Sequence, residues 1–191
     1  MDNNSALRHS FAAACMGATV VALAAGGAET TKHSPDWSHP VVQGHGKVVK
    51  MLEAVEQPRD GSKIVVDLTA GGDPAEVNPG LAKVARFVNI YGGAGAEAAS
   101  CEITVVAHGK ATVVTLADEP YSVATGAGSN PNRDLIKRLQ KAGVELLVCG
   151  QALAHQGHRG DEVVPEFEVA VSALTANVNR QADGYARIPL N

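Results

Sequence analysis

"VELLVCGQAL", residues 144–153, is the stretch that indicates the fold most directly. Its first half is a short apolar run that ends at Cys149, and its second half begins as a helix does. Short apolar runs bounded by glycine or charged residues are typical of buried parallel strands. The stretch therefore predicts a buried strand that passes directly into a helix, with a cysteine at the junction.

The rest of the chain alternates strands and helices in the same way. Helix signals include Asn78 as a cap with Pro79 behind it, and Gly143 as the stop of a helix in "NPNRDLIKRLQKAG". Such alternation predicts an α/β fold, a three-layer sandwich with a mostly parallel, five-stranded, flavodoxin-like sheet. The predicted strands are "KIVVDLT" (63–69), "EITVVAH" (102–108), "VELLVCG" (144–150), the start of "FEVAVSALTANVNRQADG" (167–184) before a last helix, and "YARIPL" (185–190) at an edge.

Composition limits the function classes. The chain has 191 residues, 45% hydrophobic residues and a net charge of -4, which suits one globular domain with a real core. No block of lysine and arginine is interleaved with aromatic residues, so nucleic acid is not expected as a partner.

The N-terminus has the layout of a secretory signal. A polar start with Arg8 is followed by an uncharged, alanine-rich stretch and small residues, which predicts a signal peptide over 1–28, removed on export. The alternatives are a retained anchor and acylation at Cys15, but the apolar stretch is shorter than the roughly 20 residues of a membrane span. We expect a periplasmic or secreted protein with no stable membrane span, a leader segment over 29–62 and the α/β domain over 63–191.

Cys149 is the candidate catalytic residue. In parallel sheets reactive groups gather at the carboxyl ends of the strands, and the start of a helix favours a thiolate there. Cys101 begins its predicted strand and so belongs to the opposite edge, roughly 23 Å away for a seven-residue strand, which predicts that Cys149 is a lone thiol. The alternative is that Cys149 is an ordinary small core residue.

The neighbours of Cys149 suggest a pocket. Gly150 lets another backbone or a ligand approach, and Gln151 offers hydrogen-bond donors and an acceptor beside the sulfur. His108 ends its strand at the same edge. If the first strand is central in the sheet, His108 and Cys149 lie two strand spacings apart, roughly 10 Å, as two walls of one pocket.

Metal and nucleotide sites are not expected. The seven histidines include the pair His155 and His158, but no pair has the repeated spacing of a structural zinc site; a copper or zinc site shared between subunits is the alternative. The loop "TAGGDPAEVNPG" (69–80) lacks the glycine fingerprint and the lysine of phosphate-binding loops, and its Asp73 and Glu76 would repel phosphate.

Three stretches together resemble the DsrE/DsrF-like sulfur-relay family, and in particular its exported branch. The resemblance runs from about Lys63 to the C-terminus and also includes residues 35–58 of the leader segment. The stretches are "VVAHGKAT" (105–112), "NPNRDLIKRLQKAGVELLVCGQAL" (130–153) and "ALTANVNRQADGYARIPL" (173–190).

The resemblance implies a parallel α/β sandwich, assembly into homo-trimers or homo-hexamers, no cofactor, and sulfur carried as a persulfide on Cys149. Cys149 alone takes a catalytic role from the resemblance, while His108, Lys110, Asn132 and Gln151 are candidates for the pocket around it. A protein that carries a thiol is a candidate partner. This chain departs from characterised relatives, which work in the cytoplasm, because its N-terminus predicts export. The expected function is sulfur transfer; the alternative is a non-enzymatic oligomer that binds a small ligand or a protein.

Overall fold

Parallel strands form the centre of the computed structural model, which describes residues 34–191. The predicted signal peptide over 1–28 and Cys15 lie outside the described residues. The strands in the described part of the chain are β1 (Trp37–Ser38), β2 (Val48–Val49), β3 (Ser62–Leu68), β4 (Cys101–Ala107), β5 (Glu145–Cys149), β6 (Glu168–Ala170) and β7 (Ala186–Leu190).

Helices connect these strands. They are α1 (Pro79–Asn89), α2 (Asp118–Thr125), α3 (Arg133–Lys141), α4 (Gly150–His155) and α5 (Ala173–Ala182), with a π-helical turn at Ile90–Ala94 and 3-10 turns at Gly109–Thr115 and Gly160–Glu162. The predicted α/β class and all five predicted strands are confirmed. The 3-10 turn after β4, α2, and the short antiparallel pair of β1 and β2 were not predicted.

The start of α1 is built as its sequence indicates. The Asn78 side chain accepts hydrogen bonds from the backbone N–H groups of Gly80 at 2.8 Å and Leu81 at 3.2 Å, while Pro79 occupies a position that needs no N–H donor. This cap fixes where the loop after β3 ends. It therefore shapes the carboxyl edge of the sheet.

The strand order is β6-β5-β4-β3-β7, with all neighbours parallel. The first long strand, β3, is thus next to the edge strand β7. The two-spacing separation estimated for His108 and Cys149 is therefore wrong, because β4 and β5 are direct neighbours with Ala107 paired to Val148. One strand spacing, about 4.8 Å, separates the two backbones.

The two faces of the sheet bury different sets of residues. Side chains alternate between faces along each strand. One face, which we call the broad face, packs against α1, α2, α3 and α4 in the larger core cluster. The other, the α5 face, is covered by α5 in the described chain, and its smaller cluster consists of Val65, Val106, Cys149, Ala173, Ala176 and Tyr185.

The described part of the leader segment is held by one buried asparagine. The Asn89 side chain accepts from the backbone N–H groups of Val41 and Val42 and donates to the carbonyls of His45 and Gly46. Val42 is buried in the larger cluster, whereas Trp37 stays half-exposed below the Lys47 ammonium. Within the described residues no helix is both long and apolar enough to cross a bilayer.

Candidate functional site

Cys149 stands at the junction of β5 and α4. It is the last residue of the strand and the N-cap of the helix, and its Sγ accepts a hydrogen bond from the backbone N–H of Ala152 at 3.4 Å. Its side chain is buried, with 6% of the residue exposed. The strand thus ends with a sulfur that already has one N–H donor directed at it.

Cys101, the other described cysteine, is in a different setting. It is the first residue of β4 and half-buried, and both thiols are free, as expected from their opposite ends of the sheet. Burial, helped by the nearby charge of Glu102, raises the pKa of the Cys101 thiol to about 11. Cys101 is therefore protonated at neutral pH and a poor nucleophile.

A buried carboxylate on β3 organises the polar groups of the α5 face. The Asp67 side chain, 4% exposed as a residue, accepts hydrogen bonds from His108 Nε2 at 2.7 Å, from Asn177 Nδ2 at 2.9 Å and from the Arg187 guanidinium. Burial alone would raise the pKa of Asp67, but these three donors outweigh it and hold the pKa below its ordinary value. Asp67 is therefore ionised at neutral pH.

His108 opens onto a small cavity beside this carboxylate. The cavity has a volume of about 280 Å³ and lies between the sheet and α5. Asp67, His108, Asn177 and Arg187 line it, together with Ala173. Ala173 also belongs to the apolar cluster that contains Cys149, so the cavity wall and the thiol share a neighbour on α5.

Lys110 and Asn132 lie at a separate cavity of about 390 Å³, whose wall also includes Asp73 and Glu76. The Asn132 side chain is buried, and its Oδ1 accepts from the backbone N–H of Asn78 at 2.7 Å. Its amide nitrogen donates to Asn130 Oδ1 at 2.9 Å. The Asn132 side chain therefore links two loops through its hydrogen bonds to Asn78 and Asn130. Lys110 does not line the cavity of His108.

Gly150 and Gln151 line neither of these two cavities. A Cβ at Gly150 would meet the Ala170 carbonyl oxygen at 3.0 Å and a Val169 methyl at 3.2 Å. The close approach expected at Gly150 is therefore made by the backbone at the end of β6. Gln151 is exposed on α4.

Asp67, Asn177 and Arg187 are absent from the sequence-based candidates. Asp67 had a visible signal, since a carboxylate inside the apolar run "KIVVDLT" needs partners if the strand is buried. Asn177 and Arg187 carried no such signal, because they are 110 and 120 residues from Asp67 in the sequence.

Metal ligands do not cluster in the part of the chain that the structure describes. No group of three histidine, cysteine or acidic side chains is suitably placed there to hold an ion. Two further histidines are paired with single carboxylates instead, His45 with Asp134 at 3.3 Å and His158 with Glu162 at 3.2 Å.

Together these features describe an α/β protein with a free cysteine at the carboxyl end of an inner strand, a histidine that follows the neighbouring strand, and a buried carboxylate on the next strand of the sheet. The family model of the DsrE/DsrF-like family matches residues 62–190, and the chain belongs to this family. The family match agrees with the resemblance seen in the sequence.

The chain was also compared with curated proteins and with solved structures. A search of curated proteins gave no match. Among solved structures, a protein of unknown function, MTH1491 from Methanobacterium thermoautotrophicum, is similar with 21% sequence identity and a TM-score of 0.48; the match covers 68% of this chain and 99% of that one.

Proposed function

We propose that this chain is an exported sulfur carrier or sulfurtransferase that holds sulfur as a persulfide on Cys149. The observation that carries the proposal is the position of Cys149 at a strand end with the Ala152 N–H directed at its Sγ. An N–H donor stabilises an anionic sulfur more than a neutral thiol. Membership of a sulfur-relay-related family supports the same chemistry.

The proposed reaction is thiol exchange through two displacements. The Cys149 thiolate attacks the outer sulfur of a polysulfide or persulfide, and a new S–S bond forms to Sγ as the donor's S–S bond breaks. A persulfide donor leaves as a thiolate, and a polysulfide donor leaves as a shorter polysulfide or hydrosulfide anion. A thiolate of the acceptor, such as a partner protein, then attacks the outer sulfur and releases Cys149 as a thiolate. Electrons balance in each step, so no cofactor is required.

Export and assembly are parts of the same proposal. The signal-like segment over 1–28 supports a periplasmic or secreted protein. Assembly with further copies of the same chain is supported by α5, which exposes Leu174 and Val178, 81% and 64% exposed, beside the His108 cavity that they also line. These two residues are four apart and therefore adjacent on the helix surface. We propose that they contact a second copy in a trimer or hexamer.

The test is sulfur loading followed by intact-protein mass spectrometry. After incubation with inorganic polysulfide, wild type and Cys101→Ser should gain sulfur, while Cys149→Ser should gain none. Treatment with a reducing thiol should remove the added mass. Equal loading of Cys149→Ser and wild type would contradict the proposal. The same spectra report whether protein recovered from the exported fraction has lost its N-terminal segment.

A non-enzymatic oligomer that binds a small ligand or a protein is the second candidate function. The burial of Cys149 and the separate cavity at Lys110 favour it, because neither feature needs a reactive thiol. Under this alternative, native Cys149 resists alkylation and loads no sulfur.

A further inference from the structure

We propose that His108, oriented by Asp67, is the base that removes the proton from Cys149. This inference rests on the proposed function, because a sulfur-carrying thiol has to be deprotonated before it attacks a donor. It assigns His108 a proton-transfer role and makes Asp67 a positioning residue.

The sheet register places His108 and Cys149 on neighbouring strands at the same edge. Ala107 of β4 pairs with Val148 of β5, so the following residues, His108 and Cys149, lie opposite one another. His108 continues the extended backbone of β4, with φ −157° and ψ −177°. Since side chains alternate between faces, His108 lies on the same face as Val106, which shares the apolar cluster of Cys149.

The Asp67 carboxylate fixes which ring nitrogen of His108 is basic. An ionised carboxylate can only accept hydrogen bonds, so the 2.7 Å contact requires that Nε2 carry the hydrogen and donate it. In the neutral ring this leaves the lone pair on Nδ1. Nδ1 is therefore the basic atom of the ring and the one to which the proposal assigns the proton of Cys149.

The charged groups around His108 come from two other strands of the sheet. Asp67 approaches it from β3, and Arg187 from β7 balances part of the Asp67 charge. The residues of α5 at this cavity, Asn177 and Gln181 among them, are uncharged. Lys110, two residues beyond His108, lies at the other cavity.

The proton transfer balances without any further reactant. The S–H bond of Cys149 breaks with its electron pair kept on Sγ, and an N–H bond forms at His108 Nδ1. The resulting imidazolium stays hydrogen-bonded to the Asp67 carboxylate, and the thiolate keeps the hydrogen bond from the Ala152 N–H. The proton returns when the thiol is restored.

The test measures alkylation of Cys149 by iodoacetamide as a function of pH, resolved from the other cysteines by peptide mass spectrometry. The variant is His108→Gln, whose side-chain amide can still donate to Asp67 but cannot act as a base. His158→Gln is the matched control, since His158 is also paired with a carboxylate but lines a different cavity.

At pH 7 we expect His108→Gln to slow alkylation of Cys149 roughly tenfold, because an unassisted thiol is mostly protonated there. The rates should converge above about pH 10, where an ordinary thiol ionises without help. His158→Gln should follow wild type throughout. A merely structural role of His108 would instead change the rate at every pH.

Equal rates for His108→Gln and wild type at pH 7, or no alkylation of wild-type Cys149 at any pH, would overturn the inference. Failure of the proposed function is recognised separately, by the absence of sulfur loading on wild type. A pH-dependent loss of alkylation in His108→Gln without sulfur loading would leave the thiol–base pair standing and remove the sulfur chemistry. Sulfur loading on wild type together with unchanged alkylation in His108→Gln would support the sulfur chemistry and exclude His108 as the base.

Discussion

The broad face and the α5 face of the sheet differ in what they bury. The broad face packs apolar side chains from four helices into the larger core cluster. The α5 face has one helix, a small apolar cluster around Cys149, and the buried Asp67 carboxylate with its partners His108, Asn177 and Arg187. The difference indicates that the first face supplies most of the stability, while the second tolerates polar groups that the first has no room for.

Truncating a core side chain of the broad face should have the largest effect. Leu135 on α3 is fully buried, so Leu135→Ala should lower the free energy of unfolding by about 2–5 kcal/mol in urea titrations. The matched change at an exposed leucine of α5, Leu174→Ala, should cost less than about 0.5 kcal/mol. Similar losses for the two variants would break the comparison between the faces.

Removing the buried charge of the α5 face should have an intermediate effect. Asp67→Asn keeps the size of the side chain but takes a carboxylate from three donors, and should cost about 1–3 kcal/mol at pH 7. Asp134→Asn is the control, since Asp134 pairs with Arg138 at the exposed surface and should cost less than about 1 kcal/mol.

The cost of Asp67→Asn should also depend on pH. Because the pKa of Asp67 is lowered in the folded protein, its stabilisation is present above the unfolded value near 3.9 and is lost as the pH falls through the lower, folded value. Urea titrations of wild type and variant should therefore converge on acidification below about pH 4. A difference in the free energy of unfolding between wild type and Asp67→Asn that grows on acidification would contradict the lowered pKa of Asp67.

Substitutions at the exposed residues Leu174 and Val178 of α5 should affect assembly and hardly affect folding. Light scattering should give wild type the mass of a trimer or hexamer, and the double variant Leu174→Asp with Val178→Asp a smaller mass. Val123→Asp, at an equally exposed valine on α2, should leave the mass unchanged. A monomeric wild type, or a double variant that keeps the full mass, would show that Leu174 and Val178 do not lie at an interface between copies.

The sequence predicted the elements better than their arrangement. The strands and the cap at Asn78 are local features, written in apolar runs and in residues two or three positions apart. The strand order depends on which way each crossover turns, and nothing in the periodicity of β3 or β4 specifies that. Cys149 and His108 could be identified as candidates because each ends a local apolar run. Their position on adjacent strands and the partners of Asp67 depend on the strand order, so only the folded chain shows them.

The most direct test of the sulfur-carrier proposal compares the two described cysteines in one molecule. Wild-type protein is incubated with inorganic polysulfide, its persulfides are trapped by alkylation, and peptide mass spectrometry reads Cys149 and Cys101 separately. We expect added sulfur on Cys149 and essentially none on Cys101, whose thiol is protonated at neutral pH because its pKa is about 11. Sulfur on Cys101 alone, or on neither cysteine, would contradict the account.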